Sequence, residues 1–269
     1  MSVAPEIVAI VNITEDSFSD GGHYLASEAA IAHARALSER GAHWIELGPA
    51  SSHPDAAIVP AARQIERLAP VVRALSAARL RVSIDATNPE VLAWAIDADV
   101  PMLNDVRGFP HPDTQSRLTS CGAKLVVVHS LLQEERATRD SATPNEVLDS
   151  IERFFEVRLN ELVGAGVAED RLIVDPGMGF FLGRDPKSSI AVLQRIPELA
   201  ARFGRPVFIS VSRKSFLRSI SGRDVDDLTA ATLSAELFAA QRGADYLRTH
   251  DAGALRDGLE ILSALEKPC

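Results

Sequence analysis

Eight short runs of β-branched and aliphatic residues recur along the chain, nearly every one followed by an amphipathic stretch, and this alternation restricts the fold more than any other feature. The runs cover 7–12, 44–48, 81–85, 102–105, 124–129, 172–175, 206–212 and 246–250. Most are continuously apolar, as Leu125-Val126-Val127-Val128 is, which suits strands covered on both faces of a parallel sheet. The spacing predicts helices over 26–40 (stopped by Gly41), 61–78, 89–98, 144–165, 186–202, 227–242 and 253–266, with 112–121 the weakest helical pattern. Strand–helix units repeated eight times predict an α/β fold, a (β/α)8 TIM barrel. The 269 residues match the roughly 250 such a barrel needs. The competing fold, an open doubly wound sheet, usually carries a G-x-G-x-x-G turn after its first strand. Residues 12–22 contain none. With no linker or low-complexity stretch, 1–269 reads as a single domain, and 131–143 as a polar surface loop.

Composition narrows the partners. Net charge is −9 and no Lys/Arg run exceeds two residues, which argues against nucleic acid or an acidic membrane surface. Only Cys121 and Cys269 are present, so neither a disulfide framework nor a C-x-x-C metal pattern is expected. A reducing, cytoplasmic location follows as the expectation. Residues 1–11 lack the basic-then-apolar pattern of a secretory signal, and no apolar run nears the roughly 18 residues of a membrane span.

Polar residues end the strands. The first ends in Asn12, the third in Asp85, the fourth in Asn104-Asp105, the fifth in His129 and the sixth in Asp175. The seventh runs into Ser212-Arg213-Lys214-Ser215, and the eighth ends Arg248-Thr249-His250. In a barrel these carboxyl ends converge on one mouth, where barrel enzymes place catalysis. One Asp after a strand is commonly a helix cap, as Asp85 before Pro89 would be, and a lone histidine such as His129 is more often a satisfied structural residue. Seven polar strand ends exceed what capping requires. Asp85, Asn104 and Asp175 suit a flat, amide-rich heterocycle, because carboxylates accept from ring N–H and amino groups. Arg213, Lys214, Arg218 and Arg248 suit a focused anion site, Arg218 equally well a solvated face.

These residues, taken in order, resemble the dihydropteroate synthase family of folate biosynthesis. Asn12-Ile-Thr-Glu-Asp-Ser-Phe-Ser-Asp-Gly-Gly22 is similar to its N-x-T-x-D-S-F-S-D-G-G, and Asp85-Ala-Thr87 to its third-strand region. Asn104-Asp-Val-Arg-Gly108 is similar to N-D-x-x-G, and Asp175-Pro-Gly-Met-Gly-Phe180 to D-P-G-x-G-F. Ser212-Arg-Lys-Ser-Phe216 and Arg248-Thr-His250 complete the set as S-R-K-S-F and R-x-H. The family joins 4-aminobenzoate to 6-hydroxymethyl-7,8-dihydropterin pyrophosphate and releases pyrophosphate. The resemblance implies that Asp85, Asn104, Asp175 and Lys214 hold the pterin. It implies pyrophosphate on Asn12, Ser52, His53, Arg248 and His250, with Mg²⁺ at Asn12. Phe18, Ser52, Pro54, Phe180, Phe181 and Ser215 would shape the aminobenzoate site, and Asp20 would stabilise a cation left when pyrophosphate departs. Catalytic roles then fall to Asp20, Lys214, Arg248 and His250, and the resemblance suggests a homodimer.

Two segments depart from the family pattern. Where the family reads E-S-T-R-P-G, this chain has Ala50-Ser-Ser-His-Pro-Asp55, so His53 replaces an arginine and offers no permanent charge. After D-P-G-x-G-F the family continues G-K, whereas this chain inserts Phe181 before Leu182-Gly183. Both departures resemble the transmissible, sulfonamide-insensitive branch. Neutral loop drift accounts for the larger share of such insertions, and the sharper reading of Phe181 is steric rejection of a sulfonamide. Two other classes compete: the pterin-binding module of a corrinoid-dependent methyltransferase, and a catalytically silent pterin-binding paralogue.

Overall fold

In the computed structural model, which describes residues 4–13, 22–50, 58–133 and 142–266, all eight expected strands form. They are β1 (Glu6–Asn12), β2 (Trp44–Gly48), β3 (Val82–Asp85), β4 (Met102–Asp105), β5 (Lys124–Val128), β6 (Leu172–Asp175), β7 (Phe208–Ile209) and β8 (Tyr246–Thr249). All pair in parallel, in the order β6-β5-β4-β3-β2-β1-β8-β7. Between β6 and β7 the ring closes through one bridge, Val174 with Val207. There the Val174 N–H donates to the Pro206 carbonyl at 3.0 Å. The result is a nearly closed barrel, as the alternation predicts.

Helices cover its outside: α1 (Gly22–Glu39), α2 (Ala61–Ala77), α3 (Pro89–Asp97), α4 (Pro112–Leu118), α5 (Pro144–Gly164), α6 (Pro186–Gln194), α7 (Ile196–Phe203), α8 (Ser215–Ser221), α9 (Thr229–Gln241) and α10 (Ala252–Leu265). Several starts are written locally. Thr143 and Glu146 form a reciprocal capping box with Pro144 in the first turn of α5. Asn88, Asp185 and Asp251 cap α3, α6 and α10.

Three expectations need correction. The helix expected over 186–202 is two, α6 and α7, meeting at Arg195. Pro197 has no N–H to continue the ladder and restarts a helix in its first turn. The strand expected over 206–212 is paired only at Phe208–Ile209, plus the Val207 bridge. Helix α8 was not expected; it begins directly after Lys214.

Alternation along the strands sorts the core. Ile7, Ala9 and Val11 join the large apolar layer between sheet and helices. Val8, Trp44, Met102, Val126, Val128, Ile173, Phe208 and Tyr246 form a separate buried cluster inside the barrel. Phe208 and Tyr246 stack there at 6.0 Å. Two residues further along the same strands stand Glu46, Asn104, Asp175, Ser210 and Arg248. The barrel interior is therefore an apolar plug beneath a polar layer. Among the described residues, no helix is long and apolar enough to cross a membrane.

Candidate active site

Above the apolar plug, one cavity is lined by Asp85, Asn104, Asp175 and Lys214, together with Arg248 and Phe181. Strands β3, β4, β6 and β8 bring four of these residues to the mouth from their carboxyl ends. Lys214 comes from the turn after β7. Its predecessor Arg213 adopts φ 58°, a left-handed conformation that an L side chain rarely takes. That turn sends Lys214 inward, and Nζ lies 4.6 Å from the Phe181 ring centroid.

The turn after β6 is held from below. The Asp175 carboxylate accepts the Gly177 N–H at 2.8 Å, and the Asp175 carbonyl accepts from His129 N at 2.8 Å. Gly179 sits at φ 62°, where an added Cβ would come within 3.0 Å of Lys214 Cβ. A side chain at 179 would push the D-P-G-M-G turn off the S-R-K-S turn.

At the cavity floor lies a residue the strand-end reading missed. Glu46, in the middle of β2, is wholly buried. It accepts from Ser83 Oγ at 3.1 Å and Asn104 Nδ2 at 3.0 Å, and pairs with Arg248 Nε. Arg248 Nη2 also reaches Asp85 Oδ2 at 3.1 Å. One guanidinium thus ties β2, β3 and β8 together. The signal for Glu46 was in the sequence: a carboxylate inside the otherwise apolar run Trp44-Ile-Glu-Leu-Gly48, two residues from Trp44 and so facing inward with it.

Electrostatics in this enclosure follow from desolvation. Burial pushes Asp85 and Asp175 above the usual carboxylate range, against the pull of Arg248 and Lys214, and for Asp175 also against its Gly177 hydrogen bond. Burial, with Arg248 nearby, pulls the Lys214 ammonium down, while Asp175, Asp85 and Glu46 resist. Arg248 loses solvation too, but Glu46 and Asp85 more than compensate and raise it. The cluster holds its charges by mutual pairing, with little water to screen them.

Asn12, His250, Ser215 and Phe180 stand apart from this cavity. Asn12, at the end of β1, is exposed, and its Oδ1 lies over Gly48. His250 follows β8, and its Nδ1 is 2.9 Å from Ser212 Oγ. That hydroxyl also accepts the His250 backbone N–H at 3.2 Å, so Ser212 fixes the ring's orientation from two sides. Burial, then Arg213, Arg248 and Lys214, hold His250 down to about 3, so the ring is neutral. Arg248, expected with Asn12 and His250, lies with the Asp85 group. Ser215 opens α8, with Oγ facing Gly179. Phe180 and Phe181 sit in the Gly179–Leu182 turn, and only Phe181 lines the cavity. Phe18, Asp20, Ser52, His53 and Pro54 lie outside the described residues.

Two polar strand ends are structural. Asp105, adjacent to Asn104 but on the opposite face, accepts from Arg107 N and Phe109 N, each at 2.9 Å. His129 is satisfied on both nitrogens, by the Pro176 carbonyl and by Ser150 Oγ, each at 3.1 Å.

Behind His250, Glu236 of α9 is buried, bonded to Thr249, with Oε1 lacking a partner. Burial raises its pKa to about 8, against the Thr249 hydrogen bond and with Asp251 adding to the rise. A folded pKa above the unfolded value means that stability is lost as pH rises from about 4.5, where the unfolded chain ionises, to about 8. Glu236→Gln removes that loss. Its melting temperature is expected to match the parent near pH 5 and exceed it by several degrees at pH 8, read by thermal unfolding at both values.

Among the described residues, no cluster of three His, Cys, Asp or Glu side chains could hold a metal ion. Mg²⁺ keeps several waters and often takes its remaining ligands from one or two protein oxygens and substrate phosphates. The exposed Asn12 amide oxygen fits a metal that arrives with a diphosphate.

Comparison with known proteins agrees with this geometry. The sequence profile of the pterin binding enzyme family matches residues 8–250. Dihydropteroate synthase type-2 of Escherichia coli is 52% identical over 261 residues, covering 97% of this chain and 96% of that protein. Type-3 of Escherichia coli is 49% identical over 260 residues, covering 97% and 99%. The crystallised dihydropteroate synthase of Xanthomonas albilineans with 4-aminobenzoic acid superposes with a TM-score of 0.89 at 33% identity, covering 99% and 94%. An inward carboxylate–amide–lysine cavity on a nearly closed barrel, in a sequence this similar over almost its whole length, belongs to the pterin binding enzymes and, among them, to the dihydropteroate synthases.

Proposed function

We propose that this chain catalyses the condensation of 6-hydroxymethyl-7,8-dihydropterin pyrophosphate with 4-aminobenzoate to 7,8-dihydropteroate and pyrophosphate. The observation that carries the reading is the convergence of Asp85, Asn104, Asp175 and Lys214 on one enclosed cavity. A pterin presents an amino group and ring N–H groups on one edge and a carbonyl with ring nitrogens on the other. Asp175 and Asp85 accept from the donor edge, Asn104 does both, and Lys214 donates to the acceptor edge.

The exocyclic carbon–oxygen bond breaks with its electron pair leaving on pyrophosphate, and the electron-rich pterin carries the resulting cation. The arylamine nitrogen then attacks that carbon and releases a proton. Asn12, Ser52, His53 and His250 hold the leaving group, and Arg248, paired with Glu46 and Asp85, adds positive charge to it from the cavity floor. Asn12 would hold a Mg²⁺ that arrives with the diphosphate, and the metal would supply further charge neutralisation. Asp20 stabilises the cation, and Phe18, Ser52, Pro54, Phe180, Phe181 and Ser215 surround the aminobenzoate.

The protein works in this reading as one domain, 1–269, in the cytoplasm, and as a homodimer. Helices α9 and α10 offer a shared apolar face of Leu233, Leu237, Ile261, Leu262 and Leu265, with Ile261 63% and Leu265 78% exposed. The test of activity is a coupled assay with pterin pyrophosphate and labelled 4-aminobenzoate, with and without Mg²⁺. Product formation supports the reading; no product at high enzyme concentration sinks it and leaves a silent paralogue.

Phe181 sits at the edge of this cavity, against Lys214. A sulfonamide mimics aminobenzoate but carries a substituent beyond the position of its carboxylate, and the Phe181 ring obstructs that exit while sparing the shorter substrate. Deleting Phe181 is expected to keep turnover and lower the inhibition constant of a sulfonamide by at least about tenfold, on the order of 1.4 kcal/mol. An active deletion variant that is equally insensitive refutes the steric account.

A further inference from the structure

We propose a second ligand site beside the pterin cavity, built for an aromatic ring that carries an oxyanion. It is a pocket between the end of β4, the end of β5 and the first half of α5, lined by Arg107, His129, Ser150, Arg153, Phe154 and Arg158. Val106 and Val128 line both this pocket and the pterin cavity, so the two adjoin.

Its charge is one-sided. Among the described residues three arginines line it and no carboxylate does, in a chain whose net charge is −9. Arg107 and Arg153 are exposed, and among the described residues neither forms an ion pair. Arg158 pairs with Glu161 at 3.0 Å through Nη1, while its Nε is buried without a partner. An arginine fork bonds a carboxylate or phosphate in a bidentate way, and several forks facing one concavity concentrate positive potential there.

The wall between the arginines is apolar and aromatic. Phe154 meets the edge of His129 at 5.5 Å and carries Arg158 Cζ at 5.9 Å from its centroid. Val157 beside it is 57% exposed. Gly108, at φ 67°, lets the loop after β4 approach: an added Cβ would stand 2.7 Å from Phe154 Cζ. The backbone thus sets Arg107 beside that ring. A bare inorganic anion would leave the Phe154–Val157 surface wet, whereas an aromatic acid covers it while the arginines take its charge. His129 closes the floor in a fixed tautomer, donating from Nδ1 to the Pro176 carbonyl and accepting from Ser150 at Nε2.

The shared chemistry is an oxyanion on a ring, whether carboxylate or phosphate. Calorimetric titration of the full chain with phenyl phosphate, benzoate and inorganic phosphate distinguishes the sources. At least one aromatic anion is expected to bind more tightly than inorganic phosphate. Its affinity should fall at least about tenfold in the double variant Arg107→Ser, Arg153→Ser. Arg153→Ser alone, on an exposed helical position, should fold as the parent and fall about threefold. Affinities unchanged in both variants would place the anion at the barrel mouth and overturn the proposal. Inorganic phosphate binding as tightly as both aromatic anions, or no saturable binding, would overturn it too.

Discussion

Arg248→Met is expected to remove activity and weaken the fold together. Methionine approximates the volume of the arginine stem but leaves Glu46 and Asp85 without their cation. Glu46 is wholly enclosed and Asp85 has a side chain 16% exposed, so water replaces little of the lost pairing. Breaking a buried pair on one side costs about 3–5 kcal/mol, a melting decrease on the order of 10 °C for a chain of this size. The cost depends on pH in a defined direction. Burial already holds the Asp85 proton more tightly than in the unfolded chain, and losing Arg248 strengthens that hold, so the penalty is smallest below about pH 4 and grows as pH rises. Thermal unfolding from pH 4.5 to 8 should therefore show parent and variant diverging towards alkaline pH. Adding Glu46→Gln should restore much of the melting temperature, because it deletes one orphaned charge. It should not restore turnover, expected to be down about 10³-fold in kcat/KM. A variant that melts with the parent at pH 8 would contradict the network.

Asp175→Asn separates binding from folding. The amide keeps an oxygen for the Gly177 N–H, now accepted at 2.8 Å, so the turn after β6 should survive and the melting temperature should barely move. What changes is the cavity face: an acceptor becomes an amide that presents its own N–H groups to a substrate edge made of donors. A site built to bond polar groups loses about 10³-fold or more when those groups are left unmatched. The loss should appear in kcat/KM for the pterin substrate, with KM for 4-aminobenzoate little changed in steady-state assays. Equal loss toward both substrates would mean that Asp175 supports the cavity without touching the pterin.

Much of this architecture is legible in the sequence because buried parallel strands leave continuous apolar runs, and β2, β4 and β6 end where those runs end. The seventh strand was overextended for the same reason: Val207-Phe208-Ile209-Ser210-Val211 is buried throughout, yet burial comes from packing and only two residues are ladder-paired. Asp85, Asn104, Asp175 and Lys214 were found because polar residues at strand ends stand out. Glu46 and Ser210 were not, since they sit inside runs, and only the period of two places them in the barrel. Asn104 and Asp105 differ for that reason: neighbours on one strand face opposite sides, one into the cavity and one into the loop it holds. Whether Arg248 belongs to an anion clamp or to the carboxylate floor depends on distances between β2, β3 and β8, which no local pattern encodes.

The polar layer above the apolar plug also bears on how this protein evolves under inhibitors. Arg248, Asp85 and Asn104 line the cavity and at the same time complete the Glu46 network that ties four strands together. A substitution there that repels a pterin mimic also unpairs a buried charge, so escape carries a folding defect. Phe181 sits in a short turn at the rim and bears no such burden. Resistance is therefore cheap at the rim and expensive at the floor, and compounds that reach the floor leave the enzyme fewer ways out.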